Sequence, residues 1–409
     1  MKIKTYNAEK MGQSNKKVVL NMIRFYPGIS RRDLAEAVGL DPSTVTKIIR
    51  DLQKRGWVRE VGLDGHFHPG RPAIKLEIVK EVAMSFVVEM TVQRICMGWG
   101  YLDNSVDNFS SFRTPQDKSV DVYFDSLAAH LDAQFEKGPL DNLVSISVAV
   151  PGLVEWGSNI LRSIPRMRWS DVDLEAELRG RLPWMETRKL DILTVNEAKL
   201  GLLTEMALNK SVAGMKNGIY LYIAQGVGGA LLIGDELYHG SNNIAGELGH
   251  MIVSPNGAPC YCGNKGCLET YISIDSVVKA YETRYAPLEG DFRDRFDTLM
   301  EMARAKDSQA MTILDEMADY MAIGIANLVN IYDPDFVLLG GMGSQFPDDF
   351  VESVSERVYG QLLLPLKGRL LILKGSMDVD SLTLRGATLT AMNEFVRKSF
   401  SNEGRERLS

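Results

Sequence analysis

Three of the chain's four cysteines stand within eight residues, as Cys260, Cys262 and Cys267 in "CYCGNKGCLE". This cluster constrains the fold more than any other feature. His250 precedes the first cysteine by ten positions, and carboxylates bracket the stretch at Glu247 and Glu269. The spacing His250-x9-Cys260-x-Cys262-x4-Cys267 offers one nitrogen and three sulfurs, the donor set of a closed tetrahedral Zn²⁺ site. Gly263 and Gly266 allow the loop to wrap an ion. Four protein donors leave no position open for water, so the expected zinc is structural. A disulfide framework is not expected. No apolar run reaches the ~18 residues of a membrane helix, and the start "MKIKTYNAEKMGQSNKKVV" has no signal-peptide core, so the expected compartment is the reducing cytoplasm.

The charge is unevenly placed. Residues 1–80 carry 16 Lys/Arg against 8 Asp/Glu, while the remainder carries 30 against 45, which together give the net charge of −7. A basic head on an acidic body suits a head that meets a polyanion. In the head, Val18, Val19, Met22, Ile23 and Phe25 recur at helical spacing before Pro27-Gly28. Ser30 and Asp33 form a capping-box-like pair at the start of a second helix, which Gly39 ends. Asp41 and Pro42 open a third, with Val45, Ile48, Ile49 and Leu52 facing inward.

Helices two and three, joined by a tight turn, make a helix-turn-helix unit. Ser43, Thr44, Thr46, Lys47 and Arg50 point away from the apolar face of the third helix. Hydroxyls near its start suit base edges, and the cations further on suit phosphates. Residues 57–78 then supply two β-prone runs around a Gly-rich turn, the pattern of a winged hairpin. Arg71, between Gly70 and Pro72, sets a guanidinium on a stiff turn able to enter a narrow A·T-rich minor groove. The expected partner is a double-stranded DNA operator with twofold-related half-sites, met by a homodimer or dimer of dimers.

At 409 residues the chain is too long for one core. Beyond residue 80 the pattern changes: 84–103 reads as two strands, 143–154 as a buried strand running into a turn, and 190–208 as a strand followed by a helix. Residues 217–240 read as a hairpin with a Gly-rich turn and 335–343 as a strand ending in glycines, with helical segments filling 274–330. This alternation predicts an α/β body in two lobes. The expected division is 1–80 for the winged head, 81–195 for a first lobe to which 384–409 return, and 196–383 for a second lobe with the zinc loop. Two strands end in Gly-rich turns, one with Gly226, Gly228 and Gly229, the other with Gly340, Gly341 and Gly343. Such turns serve either as tight bends or as phosphate cradles.

"GELGHMIV" followed by "CYCGNKGCLE" resembles the signature of the ROK family, which contains sugar kinases and sugar-responsive repressors on the actin/hexokinase-like fold. The resemblance extends over residues 81–395. It implies that His250 both ligates zinc and touches a sugar, and that Glu247 and Glu269 hold sugar hydroxyls. Asn196 and Glu197 complete the expected sugar set, since they stand where the family has an Asn-Asp pair after a strand.

The family's kinases use the Asp of that pair as base, and here Glu197 replaces it. The extra methylene moves the carboxylate by more than roughly an ångström, enough to lose much of the rate. The first phosphate loop of the kinases, Asp-x-Gly-x-Thr, corresponds to "EMTVQR" at 89–94, which lacks glycine. The expectation is therefore a DNA-binding regulator of carbohydrate genes that binds a sugar or sugar phosphate and does not phosphorylate it. The alternatives are a sugar kinase carrying a DNA-binding head, and a regulator signalled by a protein partner.

Overall fold

The computed structural model describes residues 8–63, 74–136, 141–155, 157–363, 368–376 and 379–401. The chain forms two compact units: 1–149, 175–194 and 384–409 make the first, and 150–174 and 195–383 the second.

The first unit opens with helices α1 (Ala8–Phe25), α2 (Arg31–Val38) and α3 (Pro42–Lys54), followed by the antiparallel hairpin β1 (Val58–Leu63) and β2 (Ile74–Ile78). Local chemistry sets the helix ends. Ser30 caps α2 by accepting the Asp33 N–H, and Gly39 closes it in the left-handed region, φ 63°. Asp41 caps α3 by accepting the Ser43 N–H, and Pro42 occupies its first turn. Val45, Ile48, Ile49 and Leu52 are buried, as their spacing predicts. On α1 the buried stripe is Val19, Leu20 and Ile23, whereas Val18 is 45% exposed.

The rest of this unit holds β3 (Met84–Met90), β4 (Arg94–Tyr101), β5 (Val106–Arg113), α4 (Val120–Phe135), β6 (Leu143–Val150), α5 (Leu174–Arg181), α6 (Trp184–Thr187), β10 (Asp191–Asn196) and α13 (Val379–Ser399). Its sheet has the order β10-β6-β3-β4-β5, with β3 antiparallel to β4 and parallel to β6.

The helical head shares one hydrophobic core with part of the body. Val19, Ile23, Leu34, Ile49, Leu52 and Trp57 pack in a single cluster with Ala83, Leu102, Ala391, Met392, Val396 and Phe400. The Trp57 ring lies 5.4 Å from that of Phe395 and 5.6 Å from that of Phe400. Arg24, only 2% exposed, fixes the seam. Its Nε donates to the Leu102 carbonyl at 2.8 Å, and its terminal nitrogens donate to the side-chain carbonyls of Asn21, Asn104 and Asn393.

The second unit contains a three-stranded sheet of β7 (Leu153–Val154), β8 (Ile160–Ile164) and β9 (Trp169–Asp173). A larger sheet is built from β11 (Gly218–Ile223), β12 (Val227–Ile233), β13 (Glu236–Leu237), β14 (Phe336–Gly341) and β15 (Leu371–Lys374), in the order β13-β12-β11-β14-β15. In each unit's main sheet the first strand is central, its two sequence successors run out to one side, and the two later strands lie on the other. The same architecture thus occurs twice, as the actin/hexokinase-like expectation requires. Helices α7 (Glu197–Leu208), α8 (Glu269–Ile272), α9 (Ile274–Arg284), α10 (Phe292–Arg304), α11 (Ser308–Tyr332) and α12 (Asp348–Gln361) complete the unit. One core joins β11, β12 and β14 to α9 through α12. No helix among the described residues is long and apolar enough to cross a membrane.

Candidate functional site

The third helix presents its polar residues in a graded way. Ser43, Lys47 and Arg50 are exposed, and Thr44 and Thr46 are half-buried against the opposite, apolar face. Hydrogen bonds from Ser43 lower the Asp41 carboxyl from its ordinary value. Arg71 and the wing tip lie outside the described residues.

The second unit gathers the remaining candidates. His250, Cys260, Cys262 and Cys267 converge, with donor atoms all within 4.8 Å of one another. The Cys262 and Cys267 sulfurs are 3.7 Å apart, and His250 Nδ1 is 3.7 Å from the Cys260 sulfur. A tetrahedron of metal–sulfur bonds of ~2.3 Å has edges of about 3.8 Å, so the four donors fit one cation. Burial pushes the Cys260 thiol up and that of Cys267 up to about 12. At Cys262 burial acts the same way, but hydrogen bonds from the Asn264 N–H and the two neighbouring thiols outweigh it and lower the value. A bound divalent cation favours the thiolate form of all three.

The backbone that carries Glu247 and His250 lies flat on β12. A Cβ on Gly249 would stand 2.1 Å from the Val227 carbonyl oxygen, so only glycine permits that approach. Leu248 packs inward against Gly229, while Glu247 is exposed and His250 half-buried. Glu247 keeps more than a third of its surface open, yet desolvation raises its carboxyl pKa, opposed by His250 and Lys199. Glu247 is thus flanked by protein and still reachable from solvent.

Glu269 is different. It is 4% exposed, and its Oε2 accepts the Val227 N–H at 3.1 Å and the Tyr261 hydroxyl at 3.0 Å. Asn196 caps α7: its Oδ1 accepts the N–H groups of Ala198 and Lys199, and its Nδ2 donates to the Gly152 carbonyl at 3.0 Å. One amide N–H of Asn196 therefore remains for a ligand. Glu197 is half-buried at the first position of α7.

Three residues here carried no assignment from sequence. Lys199 is 6% exposed and donates to the Asn243 carbonyl at 3.0 Å; burial lowers its pKa, with Glu247 the opposing charge. Its signal was a lone cation inside the apolar run "EAKLGLL". Arg166 donates to Asp275 and to the Gln225 carbonyl, at 2.7 and 2.8 Å, and lies 3.5 Å from Glu269. It is 59 to 109 residues from its partners, and nothing local marks it. Tyr261 was visible only as the residue between two cysteines.

The Gly-rich turns serve packing. A Cβ on Gly340 would fall 2.2 Å from the Tyr220 ring, and one on Gly229 2.5 Å from the Leu248 side chain. Both glycines are required by neighbouring side chains, whether or not an anion binds there.

Comparison with known proteins agrees with the fold. The model of the ROK family matches residues 89–394, and that of a winged helix-turn-helix DNA-binding domain matches residues 14–59. A putative xylose repressor of Caldicellulosiruptor sp. strain Rt8B.4 is 30% identical over 361 residues, covering 85% of this chain and 88% of that protein. Among solved structures, a ROK family transcriptional regulator, a homologue of the E. coli Mlc protein, aligns with a TM-score of 0.72 at 22% identity. That alignment covers 94% of this chain and 99% of the other. A ROK family glucokinase from Streptomyces griseus, solved with glucose and AMPPNP, aligns at 0.65 and 20% identity, over 75% of this chain and 99% of the other. The last two are likenesses of fold.

Proposed function

The chain belongs to the ROK family, with a winged helix-turn-helix domain in front, and from that premise we propose that it is a transcriptional repressor released from its operator by a sugar. The observation that carries this reading is the shared core. The operator-reading helices and the body's last helix, α13, are packed as one cluster. A body that changes shape then moves the reading surface with it.

In this reading Ser43, Thr44 and Thr46 meet bases, while Lys47, Arg50 and Arg71 meet phosphates or the minor groove. The sugar contacts are Glu247, His250, Glu269, Asn196 and Glu197. Their present engagement supports an ordering among them: Glu247 is the open acceptor, Asn196 offers one N–H, and His250 Nε2 and Glu269 already face the Tyr261 hydroxyl. The metal is zinc, held by His250, Cys260, Cys262 and Cys267. It would act structurally, fixing the imidazole orientation and the start of α8, where Glu269 stands. A homodimer supplies the two heads that a twofold-related operator needs.

The likeness to glucokinases favours a second reading, a sugar kinase with a DNA-binding head. Against it stand Glu197 at the position of the catalytic Asp and the glycine-free turn at 89–94. That turn is closed on itself: Thr91 Oγ1 accepts the Arg94 N–H at 2.9 Å and donates to the Arg94 carbonyl at 2.8 Å. The test is titration of a selected operator fragment with and without a panel of monosaccharides, alongside an assay of ATP-dependent sugar phosphorylation. Release of DNA without phosphate transfer is the expected result; phosphate transfer at enzymatic rates would favour the kinase.

A further inference from the structure

We propose that Tyr261 determines sugar specificity: its side chain fills the corner between His250 and Glu269, so the site accepts a sugar with no substituent at that corner and shuts out bulkier ones. The inference rests on the sugar-sensing reading above and deepens it.

The geometry begins with Glu269. Its Oε2 already accepts two hydrogen bonds, from the Val227 N–H and the Tyr261 hydroxyl, and its Oε1 faces the Arg166 guanidinium at 3.5 Å. A carboxylate oxygen has about two lone-pair directions, so Oε2 has none left for a ligand. The Tyr261 oxygen is also 3.5 Å from His250 Nε2. A protein hydroxyl thus stands between the two groups at the place a sugar hydroxyl bridging them would take. By contrast, no hydrogen bond to the Glu247 carboxylate is made among the described residues.

Three contacts keep Tyr261 in place. Its ring stands edge-on to His250, with centroids 5.5 Å apart and planes at 87°. The Arg166 guanidinium carbon lies 5.6 Å above its face, and Arg166 is itself anchored on Asp275 and the Gln225 carbonyl. Its backbone is flanked by Cys260 and Cys262, two of the four clustered donors. Tyr261 is 47% exposed, and swinging its ring away would break its contacts to His250, Arg166 and Glu269 together, so a ligand entering the site meets the ring held across its path. One extra group against a fixed wall discriminates by about tenfold or more.

Isothermal titration of the full-length protein with D-xylose, D-glucose and N-acetyl-D-glucosamine tests this, on wild type, Tyr261→Ala and Tyr261→Phe. Metal content and operator affinity of the same samples report whether each variant is folded. Wild type should bind D-xylose about tenfold or more tightly than both larger sugars. Tyr261→Ala should lower that preference about tenfold, and Tyr261→Phe, which keeps the ring, should preserve it. If Tyr261→Ala loses metal, Tyr261→Val takes its place in the same titration. A wild type that prefers a larger sugar, or a folded small-side-chain variant with the ranking unchanged, overturns the proposal while leaving sugar sensing intact. A wild type that binds operator but none of the three sugars overturns the sugar reading, and this proposal with it.

Discussion

At the scale of single residues, Arg24 joins the head to the rest of its unit through hydrogen bonds to Leu102, Asn104 and Asn393. Burial lowers its pKa to about 10, with Asp103 opposing, so it stays charged at neutral pH. Replacing it by methionine keeps the volume and leaves the Leu102 carbonyl and the Asn104 and Asn393 side chains without their donor. Each orphaned acceptor costs about 1–3 kcal/mol. Arg24→Met should therefore lower unfolding free energy by about 3 kcal/mol in urea denaturation; a change below about 0.5 kcal/mol, the range of an ordinary surface substitution, would show that the seam does not depend on it. The sequence did not mark this residue. Its neighbours on α1 follow the helical stripe, but Arg24 is buried because groups 78 and 369 positions away supply its acceptors. Caps at Ser30, Gly39 and Asp41 were legible because each is closed within a few residues. Lys199, Arg166 and Tyr261 were not, since their roles depend on loops brought together only by the fold.

Helix α3 and the cysteine loop can be tested as elements. On α3 the cations Lys47 and Arg50 are exposed at the polar face, where a duplex would lie. If each meets one phosphate, Lys47→Ala or Arg50→Ala should weaken operator binding and reduce the slope of log K against log salt by about one unit. An unchanged slope in fluorescence-anisotropy titrations would remove that residue from the phosphate contacts. The cysteine loop is expected to hold one zinc per chain, and Cys262→Ser should release it and lower the melting temperature. Elemental analysis of wild-type protein purified without chelator checks the premise, and finding no zinc would refute it. The buried strands β3, β4, β6, β11 and β14 and the helices of 274–330 were legible because long apolar runs leave strong local patterns, whereas the more exposed β5, the short β7 to β9 and β15, and the helices α4, α5, α6 and α12 were not. The pairing order within each sheet was not, since it is decided by contacts far apart in the chain. The family resemblance supplied the architecture, and the sheet order agrees with it.

For the whole molecule, the chain passes between its two compact units at 149/150, 174/175, 194/195 and 383/384. The last passage falls within α13, and residues of that helix then enter the core of the operator-reading helices. A sugar that favours one arrangement of the body over another would act on the head through this helix. Linkage requires that operator DNA weaken the sugar by the same factor by which the sugar weakens DNA. A factor of 100 corresponds to about 2.7 kcal/mol, within reach of a few hydrogen bonds that differ between the two arrangements. The most direct measurement is operator titration of wild type and Glu247→Ala, each with and without D-xylose or whichever panel sugar binds. The account predicts that sugar raises the operator Kd of wild type strongly, whereas Glu247→Ala binds the same operator with similar affinity and is not released. Release of Glu247→Ala with unchanged sugar dependence would contradict it, because the signal would then enter somewhere other than this site.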